Sequence, residues 1–202
     1  MKRILSMFVV SVSLLSGACT VTETKSSASM TSPSPDGPLT TQVDPQGQYK
    51  LLLDLAVMEL KQKRYQQAEP MLQKLRKLNR SDIQVYRMLA QAYEGQQKQH
   101  LALLAWQQIS QFEDHTIDDE SEYARLALVE DQYQIAEHIY QQWLDSENVN
   151  HRLSALNNLG FSCLLQKDFP RARQYFQQAL KIDPLNSKAL NNLILVDALT
   201  GR

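Results

Sequence analysis

The sequence predicts an all-α fold: a superhelix of stacked helix-turn-helix units, a solenoid, with a C-terminal capping helix. Three observations carry this expectation. The first is a fixed interval between chemically matched residues. Ala68, Ala102 and Ala136 are 34 residues apart, and Ala172 follows after 36. Leu55, Leu89, Tyr123 and Leu159 keep the same spacing, as do Leu72, Trp106, Tyr140 and Phe176. Such a period marks stacked supersecondary units rather than one globular core. The second is the step within each period. Apolar residues recur at three and four residues, as in ALLAWQQI (Ala102 to Ile109) and IAEHIYQQW (Ile135 to Trp143), which is the pattern of amphipathic helices. The third is residue size. Small residues fill two columns where paired helices must cross closely: Ala56, Ala90, Ala124 and Gly160 in one, and the four alanines above in the other.

The elements follow in order. Met1-Lys2-Arg3 is a short positive segment, and Ile4 to Leu15 is an unbroken run of twelve residues, mostly apolar. That run is shorter than the ~20 residues a spanning helix needs and suits the apolar part of an export signal. Residues 1–18 are therefore read as a signal peptide. The whole chain of 202 residues has a net charge of −1, and loss of Lys2 and Arg3 takes it near −3. No basic run marks a nucleic-acid partner, and two cysteines make no disulfide framework.

Two readings meet at Cys19. Ser16-Gly17-Ala18 places small residues where ordinary signal cleavage requires them. The stretch LSGAC, Leu15 to Cys19, also resembles the lipobox of bacterial lipoproteins, with Leu15 one place earlier than is usual. That resemblance implies a covalent lipid on Cys19 and no other cofactor. Several acyl chains together give stable attachment where one is marginal. Residues 19–48 then form a Ser-, Thr-, Pro- and Gly-rich tether with SPSPDGP at its centre, too polar to bury a core. Thr20 rather than Asp after the cysteine implies, by the same resemblance, transfer to the outer membrane facing the periplasm.

The folded domain is expected over residues 49–202, with units at 49–82, 83–116, 117–150 and 153–186 and a cap at 187–202. The last unit, LSALNNLGFSCLLQKDFPRARQYFQQALKIDPLN, resembles the tetratricopeptide repeat through Leu159-Gly160, Ala172, Phe176, Ala179 and Pro184. Leu156 stands where Trp is common and Cys163 where Tyr is usual. Pro170 falls in the first turn of a helix, where its missing N–H costs little. The earlier units depart from the pattern: Leu75, Ile109 and Trp143 occupy the third small position, which predicts altered packing there. The extra pair before residue 153 predicts a bend ahead of the last unit. In the cap, Asn186 or Ser187 is a candidate N-cap, and Gly201 marks the end.

Chemistry-bearing constellations are sparse. His100, His115, His138 and His151 form no i, i+4 pair. EDHTIDDE, Glu113 to Glu120, gathers acids about His115 but lacks the glycine of a calcium loop, so it reads as a solvated turn. There is no phosphate-binding glycine loop and no serine elbow. Cys163 sits at a core position and reads as a buried thiol. No metal site and no enzymatic activity are expected.

The repeat resemblance implies a concave face lined by the first helix of each unit. The family's ligand-facing positions fall on Leu53, Val57, Gln84, Arg87, Gln91, Arg125, Asn157, Phe161, Lys188 and Asn191. Amides there suit a peptide backbone, and Arg87 and Arg125 suit a partner's carboxylates. The stretch from Leu156 to Arg202, with NNLG and a second asparagine–leucine helix ending in Gly-Arg, resembles the TadD family of tight-adherence (Flp) pilus lipoproteins. That implies a protein-interaction scaffold in pilus assembly, binding the outer-membrane secretin or a companion lipoprotein, with no nucleic acid or small-molecule substrate. An adaptor for peptidoglycan hydrolases or synthases, or a pilotin-like lipoprotein of type IV pili, are the alternatives.

Overall fold

The computed structural model describes residues 44–201. The expected signal peptide, Cys19 and most of the expected tether lie outside the described residues. Among those described there are nine α-helices and no strand: α1 (Pro45–Lys61), α2 (Tyr65–Leu78), α3 (Ile83–Gly95), α4 (Gln99–Ile109), α5 (Ile117–Val129), α6 (Tyr133–Trp143), α7 (Val149–Leu165), α8 (Phe169–Ile182) and α9 (Ser187–Thr200). Each packs on its neighbours in chain order, pairing as α1–α2, α3–α4, α5–α6 and α7–α8, with α9 laid on α8 and α7. None is long and apolar enough to cross a membrane.

Short polar side chains start the first helix of each unit. Asp44, Asp82, Thr116, Asn148 and Asn186 each accept a backbone N–H of the turn they open, satisfying a donor that would otherwise be orphaned. Asp44 and Pro45 begin α1 four residues ahead of residue 49, within the stretch that composition assigned to the tether. Asn148 likewise starts α7 early, so the two extra residues before the last unit lie inside its 17-residue helix.

The turn inside each unit repeats in backbone detail. Lys63, Gln97, Asp131 and Lys167 all have φ between 56° and 61°. They keep the 34, 34, 36 spacing. After each, a backbone N–H bonds back five residues: Arg64 to Glu59 (2.9 Å), Lys98 to Tyr93 (2.9 Å), Gln132 to Ala127 (2.7 Å) and Asp168 to Cys163 (2.8 Å). This Schellman-type closure satisfies the last carbonyls of the first helix and reverses the chain at once.

The core has two parts. One runs from Ala56 through Trp143 and takes in Ala155 and Leu159 of α7. The other gathers Leu153, Leu156, Cys163, Ala172, Phe176, Ala179, Ala189 and Val196. Helix α7 is the seam, giving one face to each. The small columns are buried as their spacing requires. At Gly160 the need is strict, because a Cβ there would lie 2.5 Å from the ring of Phe176. The large residues at the third position are absorbed: Leu75 and Ile109 are fully buried, and Trp143 packs edge-on to Tyr140 at 5.4 Å.

Candidate functional site

The helices α5 and α7 flank an open groove of about 530 Å³, walled by Arg125, Leu128 and Val129 on one side and Asn158, Phe161 and Leu165 on the other, with Tyr140 beneath. Its position follows from the seam. The core under α5 belongs to the first cluster, whereas α7 turns part of its apolar face to the second. Val129, Phe161 and Leu165 remain exposed at the mouth. Burial pushes the Tyr140 hydroxyl up to about 12, so it meets a ligand as a neutral phenol. A second groove of about 240 Å³ lies between α7 and α9, lined by Asn150, Ser154, Asn157, Asn158 and Lys188 among others.

The ten residues expected to face a ligand do not form one wall. Arg125 and Phe161 meet across the first groove, and Asn157 and Lys188 line the second. Leu53, Val57, Gln84, Gln91 and Asn191 line neither. Leu53 and Val57 are half-buried on α1, while Gln84, Gln91 and Asn191 are exposed. Asn157 is almost wholly buried; its Nδ2 donates to the Leu153 carbonyl (2.9 Å) and to Asn186 Oδ1 (3.2 Å). These donations fix the amide so that Oδ1 is left without a partner.

The two arginines differ from the sequence expectation that they wait for a partner's carboxylates. Arg87 forks onto Asp119, with Nε to Oδ1 at 2.8 Å and Nη2 to Oδ2 at 2.6 Å. Asp119 also accepts from Thr116 N (2.8 Å) and Thr116 Oγ1 (3.0 Å), closing the capping box of α5. The Arg87 guanidinium and the Thr116 donors hold the Asp119 carboxyl below its ordinary range against the opposing effect of burial. Arg125 donates from Nε to Glu122 (2.7 Å) and from Nη2 to Glu94 (2.5 Å). Both cations therefore tie the second unit to the third. Arg125 keeps nearly half its side chain in solvent at the groove rim.

Two acids of the stretch Glu113 to Glu120 are also spent structurally. Besides Asp119, Glu120 accepts from the Trp143 indole (2.7 Å) and meets His115 Nε2 at 3.1 Å. No group of three or more His, Cys, Asp and Glu side chains among the described residues is placed to hold a metal ion. Cys163 is buried, and burial raises its thiol above the ordinary value, the setting of an inert structural cysteine. Val129, Leu165 and Asn158 are groove residues that sequence reasoning missed. The available signal was an apolar residue in the last turn of the first helix, recurring after 36 residues between Val129 and Leu165.

With this geometry in place, the chain can be set beside known proteins. Residues 154–186 match the tetratricopeptide repeat family. No curated protein sequence matches the chain significantly. Among solved structures, residues 41 to the end of MamA from Desulfovibrio magneticus RS-1 align with a TM-score of 0.62 and 14% identity, over 76% of this chain and 85% of that one. PilF of Pseudomonas aeruginosa aligns at 0.55 and 16%, over 75% and 68%. YrrB, described as a TPR protein with an unusual peptide-binding site, aligns at 0.58 and 14%, over 74% and 76%. At these identities the likeness is one of fold. The fold is a tetratricopeptide-repeat solenoid.

Proposed function

We propose that the protein is a lipid-anchored, periplasm-facing scaffold that grips a segment of a partner protein in the groove between α5 and α7. The observation that carries this reading is the groove itself: about 530 Å³ with Val129, Phe161 and Leu165 exposed around Arg125 and Asn158. That size and lining suit an apolar anchor side chain flanked by backbone. Because Arg87 and Arg125 already hold carboxylates, the partner is selected by an apolar anchor more than by acidic charge.

Placement rests on LSGAC and the polar stretch after it, which fit a lipidated Cys19 and a tether holding the repeats away from the outer membrane. The resemblance of the last units to tight-adherence pilus lipoproteins favours assembly of a Flp-type pilus machine, with the secretin or a companion lipoprotein as partner. The test is crosslinking in native envelopes, then purification through a C-terminal tag and mass spectrometry of bait and captured proteins. Acyl mass on Cys19 and recovery of a secretin support the proposal. An unmodified Cys19 refutes the anchor. Recovery of peptidoglycan hydrolases or synthases without pilus proteins moves the role to a cell-wall adaptor.

A further inference from the structure

Helix α9 holds the solenoid by one face and leaves the other apolar. Ala189 and Val196 are fully buried against the last unit, and Arg173 of α8 pairs with Asp197. On the far side Leu190 is 40% exposed, Ile194 66% and Leu195 43%. The repeat register shows how unusual this is. Leu190 stands 34 residues after Leu156, which is 4% exposed, and Ile194 stands 34 after Gly160. Each complete unit keeps Ala or Gly at that position to admit the large side chain of its second helix, as Gly160 admits Phe176. Ile194 fills the place itself. The exposed face of α9 is therefore not built to receive a second helix of the repeat kind.

We infer that this face is a two-fold interface between two copies of the chain, with α9 packed antiparallel on its counterpart and Ile194 at the axis. A helix advances 3.6 residues per turn, so the outward arc is Ser187, Leu190, Asn191, Ile194 and Ala198. Antiparallel pairing about Ile194 sets Leu190 against Ala198 of the other copy on both sides of the axis. Large then meets small, which is how close-packed helices interdigitate. A two-fold contact needs this self-complementarity, because one patch must serve both partners.

Leu185, 85% exposed just before α9, extends the patch. The exposed apolar side chains offer at most on the order of 400 Å² per copy for burial, the small-contact end of specific interfaces, so the dimer is a weak, reversible one.

The test uses the full chain in detergent. Sedimentation across the micromolar range is expected to show a monomer–dimer equilibrium that Ile194→Glu weakens at least about tenfold, which is ~1.4 kcal/mol. Helicity, and melting at dilutions where the chain is monomeric, are expected to stay unchanged, since Ile194 supports no core within the monomer. Ile194→Cys is expected to form a disulfide-linked dimer on mild oxidation, while Gln107→Cys on exposed α4 is not. A chain that stays monomeric, a dimer indifferent to Ile194→Glu, or equal crosslinking from both positions overturns the inference.

Discussion

Gly160→Ala tests the crossing that joins the last unit. A methyl group at this position would lie 2.5 Å from Cε1 of Phe176 and 2.8 Å from Cδ1 and Cζ, whereas unstrained carbon contacts fall at ~3.5–4.0 Å. The ring cannot swing away, because Phe176 is fully buried and packed into the second core cluster. Inserting a methyl group into such a core costs about 1–3 kcal/mol. Replacing a helix-interior glycine by alanine returns about 1 kcal/mol of intrinsic helix preference. The net expectation is a loss of about 1 kcal/mol, read by urea unfolding followed by circular dichroism. A double-mutant cycle isolates the cause. Phe176→Leu shortens the opposing side chain and recreates the pairing of Ala56 with Leu72 in the first unit. The double variant is expected to be more stable than the sum of the single losses by roughly 1 kcal/mol. A Gly160→Ala protein as stable as the parent, or additive losses in the cycle, would refute the reasoning.

Three further outcomes follow from the same geometry. Ala136→Trp overpacks the fully buried crossing of the third unit and lowers stability by about 1–3 kcal/mol; an unchanged denaturation midpoint contradicts the register. Lys167→Gly removes an exposed residue held at φ 61°, and relief of left-handed strain outweighs the added freedom of the unfolded chain, so stability rises by up to about 1 kcal/mol. Arg87→Ala removes both charged bonds to Asp119, a loss of about 1–3 kcal/mol at neutral pH. The native Asp119 carboxyl is depressed, so its contribution is present above the ordinary carboxylate range and lost as pH falls through the depressed value. The stability gap between parent and variant therefore narrows on acidification below about pH 4 and not on alkalinisation.

The solenoid was legible because its packing rule is written in size. Ala68, Ala102, Ala136 and Ala172 mark helix crossings that admit nothing larger, and the period exposes them without reference to any partner. The C-terminal cap was visible as an element through Asn186 and Gly201. Its apolar outer face became meaningful only once Ile194 was set beside Gly160 in three dimensions. The candidate site was less legible for a definite reason. Helical position indicates which way Arg87 and Arg125 point, but their carboxylates come from other turns: Asp119 is 32 residues from Arg87, and Glu94 is 31 from Arg125. The groove arises from a divided core at α7, and no single helix carries that information. Start sites shifted for a similar reason. Asp44-Pro45 and Asn148 are capping signals at the edges of polar stretches whose composition alone suggests linkers.

The central claim is that the α5–α7 groove is the partner-binding surface. Photo-crosslinking with benzoylphenylalanine in place of Phe161 tests it most directly, because the residue is exposed inside the groove and its replacement keeps an aromatic ring. A matched probe at Gln107, exposed on α4, serves as the control. In native envelopes the account predicts one dominant adduct from position 161, abolished by Val129→Glu, and none of that species from position 107. Adducts from position 107 alone, or a position-161 adduct indifferent to Val129→Glu, would contradict the account and place the binding surface elsewhere on the solenoid.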